Sequence, residues 1–161
     1  METLYFDALQ FVYHLALAIL VGGAVVLGLA AAPAIFATVS SRGEAGAIFG
    51  AVLGRYDVLA VPCVFLILAT SVLKATAFEV AGIPETRLVV RWFALLILCG
   101  ATLYSSVWAS PVARSIRAQT PGWDDLRDDA PMKREFQSLH RSSRRAMTVA
   151  ILAGIVAMFL S

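Results

Sequence analysis

The chain has 161 residues, a length that fits a single domain over residues 1–161. Hydrophobic residues make up 60% of it, well above the roughly 45–50% of an ordinary soluble domain, so that class is excluded. The formal net charge is only +2, which gives no reason to expect a nucleic-acid partner. The charged residues are concentrated in three segments, 42–57, 74–91 and 114–145, with long apolar runs between them.

The first apolar run, residues 8–41, contains 34 residues without Asp, Glu, Lys or Arg. It exceeds the roughly 20 residues that an α-helix needs to cross a hydrocarbon core of ~30 Å. The run therefore predicts a membrane-spanning helix over about 5–36. A secretory signal begins with positive charge, whereas this segment begins with Glu2 and Asp7, so we expect it to be retained.

Three further apolar runs predict three further spans, so the expected fold is all-α, an integral membrane four-helix bundle. The predicted ranges are about 44–78, 87–110 and 132–160. The fourth span is the weakest, because its uncharged segment, 146–160, has only 15 residues. Between the third and fourth spans, Thr120 and Pro121 resemble a helix start and acidic residues follow them. This pattern predicts a short amphipathic helix in the cytoplasmic loop, at about 121–128.

Basic residues set the expected orientation, because short loops rich in Lys and Arg stay in the cytoplasm. Nine Lys and Arg lie in or beside the connections that follow the first and third spans, against three on the opposite side (Lys74, Arg87 and Arg91). Both termini are therefore predicted to lie outside, in a multi-pass protein of the bacterial inner membrane. Membrane lipids are expected to surround it.

Small residues recur every four positions on the first and fourth predicted helices. On the first helix, two adjacent rows form one broad face. In lipid, small side chains let helices approach closely, so these rows predict helix-packing surfaces. Their residues are Ala18, Gly22, Ala24, Gly28 and Ala32 on the first helix, and Ala146, Ala150 and Gly154 on the fourth.

Ionisable residues within or beside the spans are the first candidates for a functional site. The predicted topology sorts them into two groups. The outer polar cluster comprises His14, Lys74 and Arg91. The inner group is expected to form an ion network that fixes helix register, with lipid headgroup contact and a proton or ligand path as alternatives. Its members are Arg55, Asp57, Arg114, His140, Arg141 and Arg144.

No arrangement of residues indicates catalysis, and we do not expect an enzyme. The sequence has no Gly-x-Ser-x-Gly elbow and no glycine-rich phosphate loop. We expect no metal site, because His-x-x-His, Cys-x-x-Cys and Met-x-x-Met patterns are missing. We expect no cofactor either, since a haem usually needs two facing histidines. The chain has two histidines, His14 and His140, and they are predicted at opposite membrane faces.

Several short motifs cover most of the chain, and they are His14 followed by Gly22-Gly23, the segment Ala32-Pro33-Ala34-Ile35-Phe36, Ala45-Gly46 with Arg55-Tyr56, Ser110-Pro111 with Arg114, and Phe136-Gln137-Ser138-Leu139-His140-Arg141-Ser142-Ser143. With these motifs the chain resembles the small four-helix bacterial membrane proteins of unknown function that are related to the eukaryotic transmembrane protein linked to cisplatin resistance. It departs from them at Leu20 and Val21, where family members often carry Trp beside the glycine pair. The resemblance implies a four-helix membrane protein and a loose link to metal-drug tolerance. It implies no catalytic residues.

The small-residue surfaces and the missing site chemistry together favour a non-enzymatic polytopic membrane protein that acts through lateral helix contacts. We expect an accessory or structural subunit of a larger membrane complex, with other membrane subunits or further copies of this chain as partners. Two alternatives stay open. One is transport or tolerance of a small solute or a metal species, and the other is binding of a haem or pigment cofactor.

Overall fold

The computed structural model describes residues 2–80 and 82–161, and every regular element within them is helical. Four helices are long and apolar enough to cross a membrane, namely α1, Thr3–Thr38; α2, Arg42–Glu79; α3, Thr86–Gln119; and α4, Pro131–Phe159. The prediction of an all-α chain with four such helices is confirmed. Large apolar side chains such as Leu29, Phe65 and Phe93 lie exposed on the outside, as expected for a surface that faces lipid.

The four helices close into a bundle in chain order. Packing is most extensive between α1 and α2 and between α3 and α4, and contacts of α1 with α4 and of α2 with α3 complete the ring. We call the end that holds both chain termini and the 80–85 connection the termini end, and the opposite end, with the 39–41 and 120–130 connections, the loop end. The core between them is formed by Tyr13, Leu17, Leu20, Val64, Ile67, Leu95, Leu98, Ala150 and Ala157.

Two of the connections show how the sequence sets the helix starts. The side chain of Ser41 accepts a hydrogen bond from the Glu44 N–H at 3.3 Å, which caps the start of α2. The 120–130 connection contains a single 3₁₀ turn at Trp123–Asp125. The short amphipathic helix predicted over 121–128 is therefore represented by one turn of three residues. The Trp123 ring packs edge-on against Phe136 of α4, with centroids 5.1 Å apart.

Three turns of the long helices are wider, π-helical turns. Two of them come just before Pro33 and Pro111, residues that the sequence places near helix ends. Proline has no N–H and its ring clashes with the carbonyl four residues earlier, and a π turn relieves both problems by bonding five residues back. Thus the Ala32 N–H bonds to the Leu27 carbonyl, and the helix continues past the proline. In the same way α3 continues beyond position 110 to Gln119. The π turns are Leu27–Ala31, Ala75–Glu79 and Tyr104–Ala109.

Glycines allow close approach at two helix crossings. A Cβ on Gly154 of α4 would collide with the Val21 side chain of α1. A Cβ on Gly23 would lie 2.7 Å from the Tyr56 ring, whose hydroxyl donates to the Leu20 carbonyl at 2.7 Å. Both glycines therefore serve packing within the chain, and the Tyr56 hydrogen bond ties α2 to the backbone of α1.

The predicted small-residue surfaces divide between the inside and the outside of the bundle. Ala24, Ala150 and Gly154 are buried, Ala32 and Ala146 are half-buried, and Ala18, Gly22 and Gly28 are exposed. Within the chain α1 packs through larger side chains instead, among them Tyr13, Leu17 and Leu20. Two adjacent rows cover a wider arc than one helix interface, so part of this face points away from the bundle.

Candidate functional site

A buried lysine marks the termini end of the bundle. Lys74, in the last α-helical turn of α2, is only 1% exposed. Its ammonium donates to the Gln10 side-chain oxygen of α1. It also lies over two aromatic rings, 4.8 Å from the Tyr13 centroid and 5.5 Å from the Phe6 centroid. These contacts stabilise a cation without neutralising it.

A π turn brings a carboxylate to this lysine. In an α-helix, residues five apart lie about 140° apart around the axis, so Glu79 would point away from Lys74. The π turn Ala75–Glu79 bonds residues five apart and so returns Glu79 to the same side. The Glu79 Oε1 lies 3.5 Å from the Lys74 Nζ.

A second buried cation shares the same carboxylate. Arg91 of α3 is 4% exposed, and its Nη2 pairs with the Glu79 Oε2. Within residues 2–80 and 82–161 its Nε–H has no hydrogen-bond partner, and neither has the hydroxyl of the fully buried Tyr13. Lys74, Glu79 and Arg91, with Gln10 and Tyr13, are called the Lys74 site from here on.

The chemistry of the Lys74 site is electrostatic. Two cations face one carboxylate in a region where transferring an ion from water costs several kcal/mol, by an order-of-magnitude estimate. Residues 2–80 and 82–161 hold no group of three or more His, Cys, Asp or Glu that could bind a metal ion. The arrangement is suited to holding an electron-rich acceptor, because cationic and neutral N–H and O–H donors line it.

The structure brings together two of the three predicted outer residues. Lys74 and Arg91 meet through Glu79, whereas the His14 Nε2 lies 2.8 Å from the Ser161 Oγ at the end of α4. The His14 ring contacts Tyr13 edge-on, with centroids 5.5 Å apart. Glu79 is not among the residues predicted for this cluster, because it lies one position beyond the predicted second span, 44–78. The sequence feature that could have identified Glu79 is its spacing of five residues from Lys74. That spacing places the two side chains on the same side of the helix only when a π turn lies between them.

At the loop end, one pair of the predicted ion network is present. The Arg114 Nη1 donates to the Asp57 Oδ2 at 2.9 Å, joining α3 to α2. Arg55, Arg141 and Arg144 are exposed, because they lie on helix faces that point away from the bundle. His140 is half-buried and stacks on Phe136, with centroids 5.9 Å apart. Arg117 also joins two helices at this end, although it was not predicted as part of the ion network. Its Nη2 donates to the Gly43 carbonyl at 2.5 Å.

Replacing Asp57 with asparagine should destabilise the protein by about 1 kcal/mol or less. The Arg114 side chain is 35% exposed and the Asp57 side chain 12%, so water compensates part of the lost pair. Thermal unfolding of the purified protein in detergent measures the change. The matched control is Arg55→Gln, since Arg55 is exposed and should leave the midpoint unchanged. Equal effects of both substitutions would contradict a role for the Asp57–Arg114 pair.

A cluster of hydroxyl groups joins α3 to α4 nearer the loop end. The Ser143 Oγ lies 2.7 Å from the Ser105 Oγ and 3.0 Å from the Ser110 Oγ. Ser105 and Ser110 are again five residues apart, because Ser105 lies within the π turn Tyr104–Ala109 and the Ser110 N–H bonds to the Ser105 carbonyl. In a membrane such hydrogen bonds hold helices together where the hydrophobic effect does not. The sequence does not indicate this cluster, since the serines meet only because of the wider turn.

The fold and the Lys74 site define a multi-pass helical membrane protein with a buried charged site. The chain belongs to the family described as "Domain of unknown function (DUF4149)", which matches residues 15–121, more than half of its length. That region includes Lys74, Glu79 and Arg91, and also the Asp57–Arg114 pair. No curated protein and no solved structure matches the chain. The relation to the protein linked to cisplatin resistance therefore stays a prediction.

Proposed function

We propose that this chain is a non-enzymatic accessory or structural subunit of a larger membrane complex, and that it acts through lateral helix contacts. The observation that carries the proposal is an exposed patch of small residues on α1, Ala18 and Gly22, which lie one turn apart on the same face, with Gly28 exposed farther along the helix. The patch lies on a helix that is apolar enough to span a membrane. Its partners would be other membrane subunits or further copies of this chain.

Two exposed glycines of α1 are not needed for packing within the chain. A Cβ on Gly22 or Gly28 would meet no atom within 4 Å, in contrast to Gly154. Packing inside the bundle therefore gives no reason for glycine at either position. Glycine also weakens a helix by roughly 1 kcal/mol relative to alanine. In lipid, small residues permit close approach of a neighbouring helix, and a partner outside the bundle would use that space.

We propose the bacterial inner membrane as the location, with both termini outside. The support is the excess of Lys and Arg at the loop end, nine in or beside its connections against three at the termini end, with Arg55 as a tenth basic residue at the loop end. Two alternatives are open. Transport or tolerance of a small solute or metal species would centre on the Lys74 site. Haem or pigment binding would use His14 or His140, which contact Ser161 and Phe136 at opposite ends of the bundle.

Replacing Gly22 with isoleucine should break the lateral association and leave the fold intact. The branched side chain has room within the chain but would hold a neighbouring helix away from α1. A loss of about 1.5 kcal/mol, roughly tenfold in association, is expected. The protein is extracted from its native membrane in mild detergent, and its mass is measured by light scattering after size-exclusion chromatography.

The matched control is Gly100→Ile on α3, where a Cβ also meets nothing within 4 Å. This variant should keep the mass of the wild-type particle. The proposal fails if the wild type elutes as a lone monomer. It also fails if both isoleucine variants dissociate to the same extent, because the α1 patch would then have no special role.

A further inference from the structure

Among the residues that the structure describes, the Lys74 site carries one positive charge in excess. Lys74 is 1% exposed and Arg91 is 4% exposed, and both form ion pairs with the single carboxylate of Glu79. The other described acids at this end, Asp7 and Glu85, are exposed and form no ion pair with either cation. A buried charge without a counter-charge is strongly unfavourable, so the site is short of one negative charge.

The same site has donors without acceptors. The Arg91 Nε–H and the Tyr13 hydroxyl are buried, and neither has a hydrogen-bond partner among the described residues. Buried polar groups are nearly always paired, so two unpaired donors beside an excess charge need a common explanation. The Tyr13 ring lies against the Lys74 ammonium, which places the phenol within the same site. A single acceptor that carries negative charge would meet both deficits.

We propose that the Lys74 site binds a small monovalent anion, with Lys74 and Arg91 as its cationic ligands and Tyr13 as a neutral donor. Glu79 holds the two cations in place and supplies only half of the charge that they need. The anion is free chloride or the phosphate of a lipid headgroup, because both present a singly charged acceptor. The inference is independent of the lateral contacts proposed above and could hold where they fail.

Chloride is the probe for the free anion. The full chain is purified in maltoside, which carries no phosphate, and its thermal midpoint is followed as chloride replaces bulky gluconate at constant ionic strength. A ligand that binds only the folded state raises the midpoint, here by on the order of 5 °C when its concentration is about a hundredfold above Kd. The second arm adds phosphatidylglycerol to the micelles without chloride. A rise with chloride assigns a free anion, and a rise that needs the lipid assigns a headgroup phosphate.

Lys74→Met tests whether the rise comes from this site. The substitution leaves Arg91 and Glu79 as a balanced pair, so the variant should fold and lose the response. Lys133→Met, at the loop end, should keep it. If Lys74→Met does not fold, Tyr13→Phe should weaken the apparent affinity about tenfold, as expected for one hydrogen bond to a charged group. The proposal is overturned if neither anion raises the midpoint, or if the response is undiminished in the Lys74→Met and Tyr13→Phe variants that fold.

Discussion

Replacing Glu79 with glutamine is expected to cost about 3–5 kcal/mol, a large part of the stability of an ordinary domain. Glu79 is the one described carboxylate that pairs with Lys74 and Arg91, and both cations are almost fully buried. Glutamine keeps the shape and the hydrogen-bonding oxygen but removes the charge. Two cations would then face each other in a region of low dielectric constant. The yield of folded protein in detergent and its thermal midpoint should both fall sharply.

A second substitution separates the effect of charge from that of shape. Lys74→Met in the Glu79→Gln background returns the site to one excess positive charge, as in the wild type, and should recover much of the midpoint. The matched control is Glu135→Gln, because Glu135 is exposed on α4 and should tolerate the change. If Glu79→Gln has the same thermal midpoint as this control, Lys74 and Arg91 are not two buried cations that depend on the Glu79 carboxylate. The electrostatic description of the site would then be wrong.

Replacing Gly154 with leucine is expected to cost about 3 kcal/mol by overpacking. A Cβ at this position would already collide with Val21 of α1 and lie 3.5 Å from the Leu98 Cδ1 of α3. The leucine side chain would therefore separate α4 from two neighbours at once. Val21 is β-branched and has few alternative rotamers, so it cannot simply turn aside. Thermal unfolding in detergent, followed by tryptophan fluorescence, measures the loss.

Gly100→Leu is the matched control for this prediction. Gly100 is exposed on α3 and a Cβ there meets nothing within 4 Å, so leucine should be tolerated and should even favour the helix. The same residue change thus has opposite expected results at a crossing and on the lipid-facing side. Similar midpoints for the two variants would contradict the close approach of α1 and α4 at Gly154.

The number of spanning helices was predictable from the sequence, because lipid allows few solutions to a chain with four largely apolar runs. It also indicated which ionisable residues to examine, and Lys74, Arg91, Asp57 and Arg114 all form buried or half-buried pairs. These predictions depend on the composition of each segment and on the spacing of residues along one helix, which are local properties of the chain. They required no knowledge of which helix neighbours which.

Which charged side chains pair with one another depends on the packing of the helices and could not be predicted from the sequence. Glu79 reaches Lys74 because a π turn changes the angle between residues five apart, and no helical period predicts such a turn in advance. The helix-packing pattern failed to separate Ala24, which is buried, from Gly22, which is exposed, since adjacent rows have the same composition. The exposed fraction of each row depends on the neighbouring helices, and that information is distributed over the whole fold.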